Sequence, residues 1–184
     1  RLFDSQNGRA VEVGDLRSIL TLPGQHNYQN AAAAYAACRA LGLEATTIME
    51  AMASFPGLAH RQEVVGKVGK VTFVNDSKAT NGQATVQALR SYSRVYWIGG
   101  GVPKSDGLAD VRPYFNHIAK AYLIGDAQKQ FARELGDDVR HVNCGTMRRA
   151  IAEALHDAHA SDEPDPIILL SPACASFDQF RDFE

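Results

Sequence analysis

The chain has 184 residues, of which 45% are hydrophobic and 22% are charged. That is enough for one full domain and part of another, with a core that needs no metal or disulfide. The formal net charge is -2 and the pI is about 6.3. This balance predicts neither a nucleic-acid nor an anionic-membrane partner, since either would favour a basic stripe, although a mildly acidic chain can still hold a local basic pocket.

The three cysteines, Cys38, Cys144 and Cys174, lie far apart and form no CxxC pair. This spacing argues against a zinc site or a redox motif and favours free thiols in a reducing compartment. No apolar run approaches the roughly 20 residues that span a bilayer, and the first residues lack the apolar core of a signal peptide. We therefore expect a cytoplasmic protein, and we also expect it to be a monomer. Because the chain begins at Arg1 rather than at methionine, we also expect it to be a fragment.

The first part of the chain predicts a hairpin and then a helix. Two short apolar runs, 9–12 and 17–22, flank a turn at Gly14 and Asp15, so they favour two paired strands. An alanine-rich stretch over 30–41 predicts a helix that ends at Gly42.

A second helix is predicted over 47–54. Thr46 or Thr47 would cap it, and Glu50 would complete a capping box. Pro56 and Gly57 then break the chain. We place a domain boundary there, dividing the chain into 1–56 and 57–184, and expect this short link to act as a hinge.

From that point strands alternate with helices. The predicted strands are 71–74, 94–98, 119–124, 139–142 and 167–170, and the predicted helices are 83–92, 127–135 and 146–158. Alternation at this spacing predicts an α/β domain with a Rossmann-like, mostly parallel sheet and helices on both faces. Ligands of such sheets bind beyond the carboxyl ends of the strands.

Polar residues follow the first of these strands. In the stretch Asn75–Asn81, Asp76 suits ribose hydroxyls or a metal, and Lys78 suits a phosphate or a carboxylate. Thr80 and Asn81 can donate to an anion near a helix start. The alternative is a capped helix start with a solvated lysine.

Two further strand ends carry candidate anion sites. Glycines at 99–101 would let backbone N–H groups approach an anion, and Lys104 would supply charge; a flexible loop is the alternative. The stretch 171–180 contains small residues and serines followed by a predicted helix start, so it is a second candidate anion site. Its alternative is a helix cap with Phe177 and Phe180 in the core.

Two candidates lie earlier in the chain. Arg61 can make bidentate hydrogen bonds to phosphate oxygens. Asn27 and Asn30, three residues apart, can present donors and acceptors to an adenine edge. Helix capping is an equally simple role for the two asparagines.

Taken in order, these motifs resemble the D-glutamate-adding members of the Mur ligase family, from about Gly24 to the end of the chain. The first two blocks are shared with the wider superfamily that includes folylpolyglutamate synthases, and the third and last are typical of the D-glutamate-adding group. The blocks are GxHNxxNA from Gly24, GLxHRxE from Gly57, NDSKATN from Asn75, GG with a lysine from Gly99, and LSPACASFDQF from Leu170.

The resemblance implies an ATP-dependent reaction with Mg2+ as cofactor. ATP phosphorylates the terminal carboxylate of UDP-N-acetylmuramoyl-L-alanine, and the amine of D-glutamate then displaces phosphate. These three compounds are the implied partners, in the synthesis of peptidoglycan precursors.

The resemblance also assigns roles to matching residues. Lys78 would be catalytic, because it would help to neutralise the negative charge near the reacting phosphate. The predicted D-glutamate ligands are Thr80, Lys104, Ser176, Phe177 and Phe183. The predicted ATP ligands are Asn27, Asn30, Arg61 and Asp76.

One departure from the family pattern bears on activity. The sequence contains no P-loop, and residues 1–56 match only the tail of the central ATP-binding domain. Such a chain would hold few of the magnesium ligands, so the fragment alone is expected to be inactive.

Three other classes compete with this hypothesis. Another amino-acid ligase of the superfamily would carry different residues in the third and last blocks. A dinucleotide-binding oxidoreductase would need a GxGxxG turn, which the sequence lacks. A non-catalytic interaction module would not need polar residues at the strand ends, and a ligand titration would separate it from an enzyme.

Overall fold

The computed structural model describes residues 1–6 and 8–181. The chain divides into two units, Arg1–Leu58 and Ala59–Glu184. The division of the protein into functional domains at this point stays a prediction. Among the described residues, no helix is both long enough and apolar enough to cross a membrane.

The first unit combines a hairpin with two helices around a small apolar core, to which Leu2, Tyr35 and Ile48 contribute. Its elements are β1 (Leu2–Gln6), β2 (Arg9–Gly14), a 3-10 turn (Leu16–Ser18), α1 (Gln25–Ala40) and α2 (Ala45–Ala53). β1 and β2 pair antiparallel.

Two predictions for the first unit were wrong. The partner of β2 lies before it in the chain rather than after it, because the Asp15 side chain accepts from the Arg17 N–H and starts the 3-10 turn there. α2 begins at Ala45 with Glu44 at its N-cap and no side-chain cap, so the predicted capping by Thr46 or Thr47 does not occur.

The second unit is built on a six-stranded sheet in the described part of the chain. Its strands are β3 (Glu63–Val68), β4 (Val71–Asn75), β5 (Val95–Gly100), β6 (Ile118–Ile124), β7 (His141–Gly145) and β8 (Ile167–Leu170). Its α-helices are α3 (Gly82–Ser91), α4 (Gln128–Leu135) and α5 (Met147–Ala160). A 3-10 helix also spans Arg112–His117.

The strand order is β3-β4-β8-β5-β6-β7. All neighbouring pairs are parallel except β3 with β4, which is antiparallel. The predicted mostly parallel α/β fold is therefore confirmed. The edge strand β3 was missed, because its exposed Val64, Val65 and Val68 leave no buried pattern to recognise.

Apolar residues cover both faces of this sheet. On β5, Val95 and Trp97 pack into the same cluster as side chains of α3 and α4. The alternating residues Tyr96 and Ile98 pack into the cluster that contains one face of α5. The two-residue period of the strand thus places helices on both faces, as predicted.

Candidate functional site

The segment that follows β8 is held by the loops that follow its neighbouring strands. Gly100 N donates to Pro172 O at 2.9 Å, which ties it to the end of β5. Ala173 N donates to Ala79 O at 2.9 Å, which ties it to the loop after β4. The N–H of Gly100 is therefore engaged within the protein.

These contacts bring two loops that carry predicted D-glutamate ligands next to the segment after β8, which carries others. Thr80 comes directly after Ala79, whose carbonyl binds the segment. Val102 N donates to Ala175 O at 2.8 Å, two residues before Lys104 and one residue before Ser176. Three of the residues predicted from separate motifs thus lie on loops that are hydrogen-bonded to each other at the carboxyl edge of the sheet.

The exposure of these side chains differs. Thr80 and Ser176 are half-buried, whereas Lys78 and Lys104 are exposed. Phe177 is 70% exposed, so it does not lie in the core as the alternative interpretation supposed. The helix start predicted in this stretch does not lie within 171–181, since no helix forms there and Ala175 instead makes an isolated bridge with Val102.

A cavity of about 290 Å³ lies beside this segment. Its polar lining comes from His60, Asn75, Ser77, Ser176, Asp178, Gln179 and Arg181. We call it the strand-end cavity. Thr80 and Lys104 are not among the described residues that line it.

Asp76 lies in a buried hydrogen-bond network rather than on the surface. Its side chain is 6% exposed, with Oδ1 accepting from Gln62 N at 3.2 Å and Oδ2 from Ser171 Oγ at 2.8 Å. Ser171 Oγ also lies 3.1 Å from Thr85 Oγ1, and the Trp97 indole donates to Ser171 O at 2.8 Å. These contacts fix Asp76 against the core, and its contact with ribose stays a prediction.

Burial raises the pKa of the Asp76 carboxyl to about 6. The hydrogen bonds from Ser171 and Gln62 and the charge of Arg61 act in the opposite direction. Burial wins because removing a carboxylate from water costs more than two hydrogen bonds return.

Asp76 is expected to make the second unit less stable as the pH rises. The folded state holds the Asp76 proton up to a pKa of about 6, against 3.8 for the unperturbed group. Its stabilisation is therefore complete below about pH 4 and is lost through about pH 6, amounting to about 3 kcal/mol at about 1.36 kcal/mol per pKa unit. Urea unfolding between these pH values, followed by the fluorescence of Trp97, the one tryptophan in the sequence, measures the change.

The Asp76→Asn variant should lose this part of the pH dependence, because an amide does not titrate. Asp162→Asn, at an exposed carboxylate in the loop after α5, should keep the wild-type dependence. An Asp76→Asn profile that is parallel to wild type would show that the Asp76 carboxyl titrates alike in the folded and unfolded states.

Arg61 is presented by a strained turn. Its neighbours His60 and Gln62 have φ of 66° and 49°, in the left-handed region that non-glycine residues rarely adopt. The turn is fastened to the loop after β4, because Lys78 N donates to His60 O at 3.1 Å and the His60 ring lies 3.0 Å from the Asn75 amide. Arg61 itself is exposed. Arg61 is therefore held at the surface by the hydrogen bonds that His60 makes to the loop after β4.

Asn27 and Asn30 lie on α1 in the first unit. Both line a mainly apolar cavity of about 430 Å³ between α1 and α2. Asn27 Nδ2 donates to Pro23 O at 2.7 Å, so this amide also fastens the chain that leads into the helix. Phe183, the remaining predicted ligand, lies outside the described residues.

Sequence patterns did not reveal the residues that support the site. Ser171 and Thr85 were not singled out as partners of Asp76, and Asp178 was not recognised as a contact of the loop after β6. The sequence offered only one weak signal for this network, which is that Ser171 comes directly after a buried strand. Within the described residues, no group of three or more His, Cys, Asp or Glu is placed to hold a metal ion.

Comparison with known families gives an independent result. Residues 60–174, more than half of the chain, match the family described as "Mur ligase, glutamate ligase domain". The whole chain is 54% identical to a UDP-N-acetylmuramoylalanine--D-glutamate ligase of Caulobacter vibrioides and 53% identical to one of Rhizobium etli. The chain spans 39% of the length of these relatives.

A solved structure shares the fold at low identity. The UDP-N-acetylmuramate-alanine ligase of Thermotoga maritima matches with a TM-score of 0.59 and 17% identity, over 82% of this chain and 35% of that one. This likeness shows the fold. The family match over 60–174 shows that the chain belongs to the Mur ligase family and contains its glutamate ligase domain.

Proposed function

We propose that the full-length protein containing this chain is an ATP-dependent ligase that adds D-glutamate to UDP-N-acetylmuramoyl-L-alanine. The observation that carries the proposal is the 54% identity over the whole chain to a relative named for that activity. The hydrogen bonds that join the loops after β4 and β5 to the segment after β8 support it, because each of the three carries predicted ligands. We propose a cytoplasmic, monomeric enzyme of peptidoglycan precursor synthesis.

The reaction would proceed in two steps. The γ-phosphoryl group of ATP is transferred to an oxygen of the substrate carboxylate, and ADP leaves. The D-glutamate nitrogen then forms a bond to the activated carbonyl carbon as the bond to phosphate breaks. Both steps bring anions together, so the protein must neutralise charge and hold the amine in line.

The strand-end loops can bind an amino acid with two carboxylates. Lys104 would pair with one carboxylate as an exposed cation, and the Thr80 hydroxyl would donate to the same group. Ser176 and the backbone at Phe177 and Phe183 would hold the other. Two carboxylate sites at a fixed separation would discriminate glutamate from lysine or a shorter acid.

The remaining predicted residues would serve ATP. Arg61 would contact phosphate oxygens, Asp76 the ribose hydroxyls, and Asn27 with Asn30 the adenine edge. Lys78 would stabilise negative charge near the transferred phosphoryl group. Mg2+ would screen the phosphates when it is bound, and the described residues form no cluster that fits it.

Phosphate release by the full-length protein tests the proposal. The assay contains ATP, magnesium and UDP-N-acetylmuramoyl-L-alanine, and compares D-glutamate, L-glutamate, L-lysine and meso-diaminopimelate. We expect release with D-glutamate only, and L-glutamate is the matched control because it differs only in configuration. Release with another amino acid would keep the ligase chemistry and overturn the substrate, whereas no release with any would favour a binding module.

A further inference from the structure

The part of the chain that would bind one carboxylate has few backbone anchors of its own. In the described chain, the bond from Val102 N to Ala175 O is the last backbone hydrogen bond between this segment and a neighbouring loop. Beyond it, Gln179 N and Phe180 N both donate to Ser176 O, at 3.1 and 3.0 Å, and these bonds only close a local turn. Something else must hold that turn against the sheet.

Apolar packing does not hold it. Phe177 and Phe180 are 70% and 49% exposed, so neither side chain fastens the turn by burial. A turn anchored by aromatic side chains would bury most of both rings. The position of the turn must therefore be fixed by a polar contact.

Asp178 makes that contact. Its Oδ2 accepts from Asp126 N at 3.0 Å, which joins the turn to the loop after β6. Gly125 makes room for it, because a Cβ on Gly125 would lie well within 3.0 Å of Asp178 Oδ2. The other oxygen, Oδ1, is buried without a hydrogen-bond partner among the described residues. Burying a carboxylate oxygen in this way is costly, which argues that the contact is retained for a purpose.

We propose that Asp178 is a positioning residue of the amino-acid site: by holding the turn on Asp126 N, it sets the Ser176 hydroxyl and the backbone at Phe177 for one substrate carboxylate. This rests on the proposed function. Asp178 acts through its neighbours, because its Oδ2 is bonded to a backbone N–H of another loop and so fixes the turn that carries them.

Hydrogen exchange on the 184-residue chain tests the anchor without any substrate. In Asp178→Ala the amides of Gln179 and Phe180 should exchange about tenfold faster, because one hydrogen bond that holds the turn is lost. Asp178→Asn keeps an oxygen that accepts from Asp126 N, so its rates should stay within about threefold of wild type.

A pair of glycine variants provides the matched control. Gly125→Ala, at φ 64°, places a Cβ against the Asp178 carboxylate and, less closely, against Gly101 Cα and the Gln179 amide, and should reproduce the faster exchange. Gly136→Ala, at φ 51°, imposes similar backbone strain with no atom nearer than 3.9 Å, and should leave the turn unchanged.

Kinetics of the full-length protein tests the consequence. In Asp178→Ala and Gly125→Ala the KM for D-glutamate should rise about tenfold while the KM for ATP stays constant, with rescue in Asp178→Asn. Because Gly125→Ala already displaces the Asp178 carboxylate, the double variant should be no worse than Gly125→Ala alone.

Several outcomes would overturn the inference. They are unchanged exchange in Asp178→Ala, faster exchange without a rise in the KM for D-glutamate, an equal rise in the KM for ATP, or Asp178→Asn as impaired as Asp178→Ala. Failure of the proposed function looks different: wild-type protein would then release no phosphate with D-glutamate, while the exchange data would still decide whether Asp178 anchors the turn.

Discussion

Replacing Ser171 by alanine is expected to lower the free energy of unfolding of the second unit by about 3 kcal/mol at pH 8. The Ser171 hydroxyl donates to Asp76 Oδ2 at 2.8 Å and lies 3.1 Å from Thr85 Oγ1. Ser171 and Thr85 are fully buried, and Asp76 is 6% exposed. Removing the hydroxyl leaves a carboxylate oxygen without its donor in a place that water does not reach.

The pH dependence of this loss distinguishes it from simple loss of packing. At pH 4 Asp76 is largely protonated, since its pKa is raised to about 6, and the missing bond is then one between neutral groups. The loss should shrink to about 1 kcal/mol there. Ser161→Ala, which removes a hydroxyl bonded only to a backbone carbonyl at the end of α5, serves as the control. An equal loss at both pH values would show that the Ser171–Asp76 bond contributes little.

Much of the second unit could be predicted from the sequence because its strands are buried. The run 167–170 is apolar throughout, and it forms β8 in the centre of the sheet between β4 and β5. In a parallel sheet covered on both faces, such runs have no other stable place. The positions of the strand ends follow from these runs, and so does the edge at which polar residues collect.

What could not be predicted depends on contacts distant in sequence. The edge strand β3 shows no burial pattern, because five of its six residues are exposed. The start of α2 was misplaced because Thr47 and Glu50 form a capping pattern within a helix that packing extends to Ala45. Local propensity is a weak guide when tertiary contacts decide a boundary.

At the candidate site, too, local sequence patterns could be recognised and contacts distant in sequence could not. Asp76 was predicted to matter from its place after a strand, but its raised pKa depends on burial against Ser171, which is 95 residues later. Asp178 was part of a motif, yet its bond to Asp126 joins loops that are 52 residues apart. Motif order therefore indicated which loops meet, and only the fold shows which side chains support them.

Replacing Lys104 by methionine in the full-length protein is expected to raise the KM for D-glutamate about 100-fold. The loop that carries Lys104 is hydrogen-bonded to the segment after β8 through Val102 N and Ala175 O, so the backbone of this loop is fixed beside Ser176. Methionine keeps an unbranched, apolar side chain and removes the charge. Loss of a charge-assisted contact to a carboxylate of this kind affects binding of the substrate more than the chemical step, so kcat should change less than KM.

Steady-state kinetics with D-glutamate varied at saturating ATP measures this effect, and Lys129→Met, at an exposed lysine on α4, is the matched control. Thr80→Val should raise the same KM by about tenfold. If Lys104 and Thr80 bind one carboxylate, the double variant should lose less than the product of the two effects, because the second change removes a contact that the first has already weakened. A KM for D-glutamate that is unchanged in Lys104→Met, or raised equally in Lys129→Met, would place the carboxylate away from this loop and leave the segment after β8 to bind the amino acid by itself.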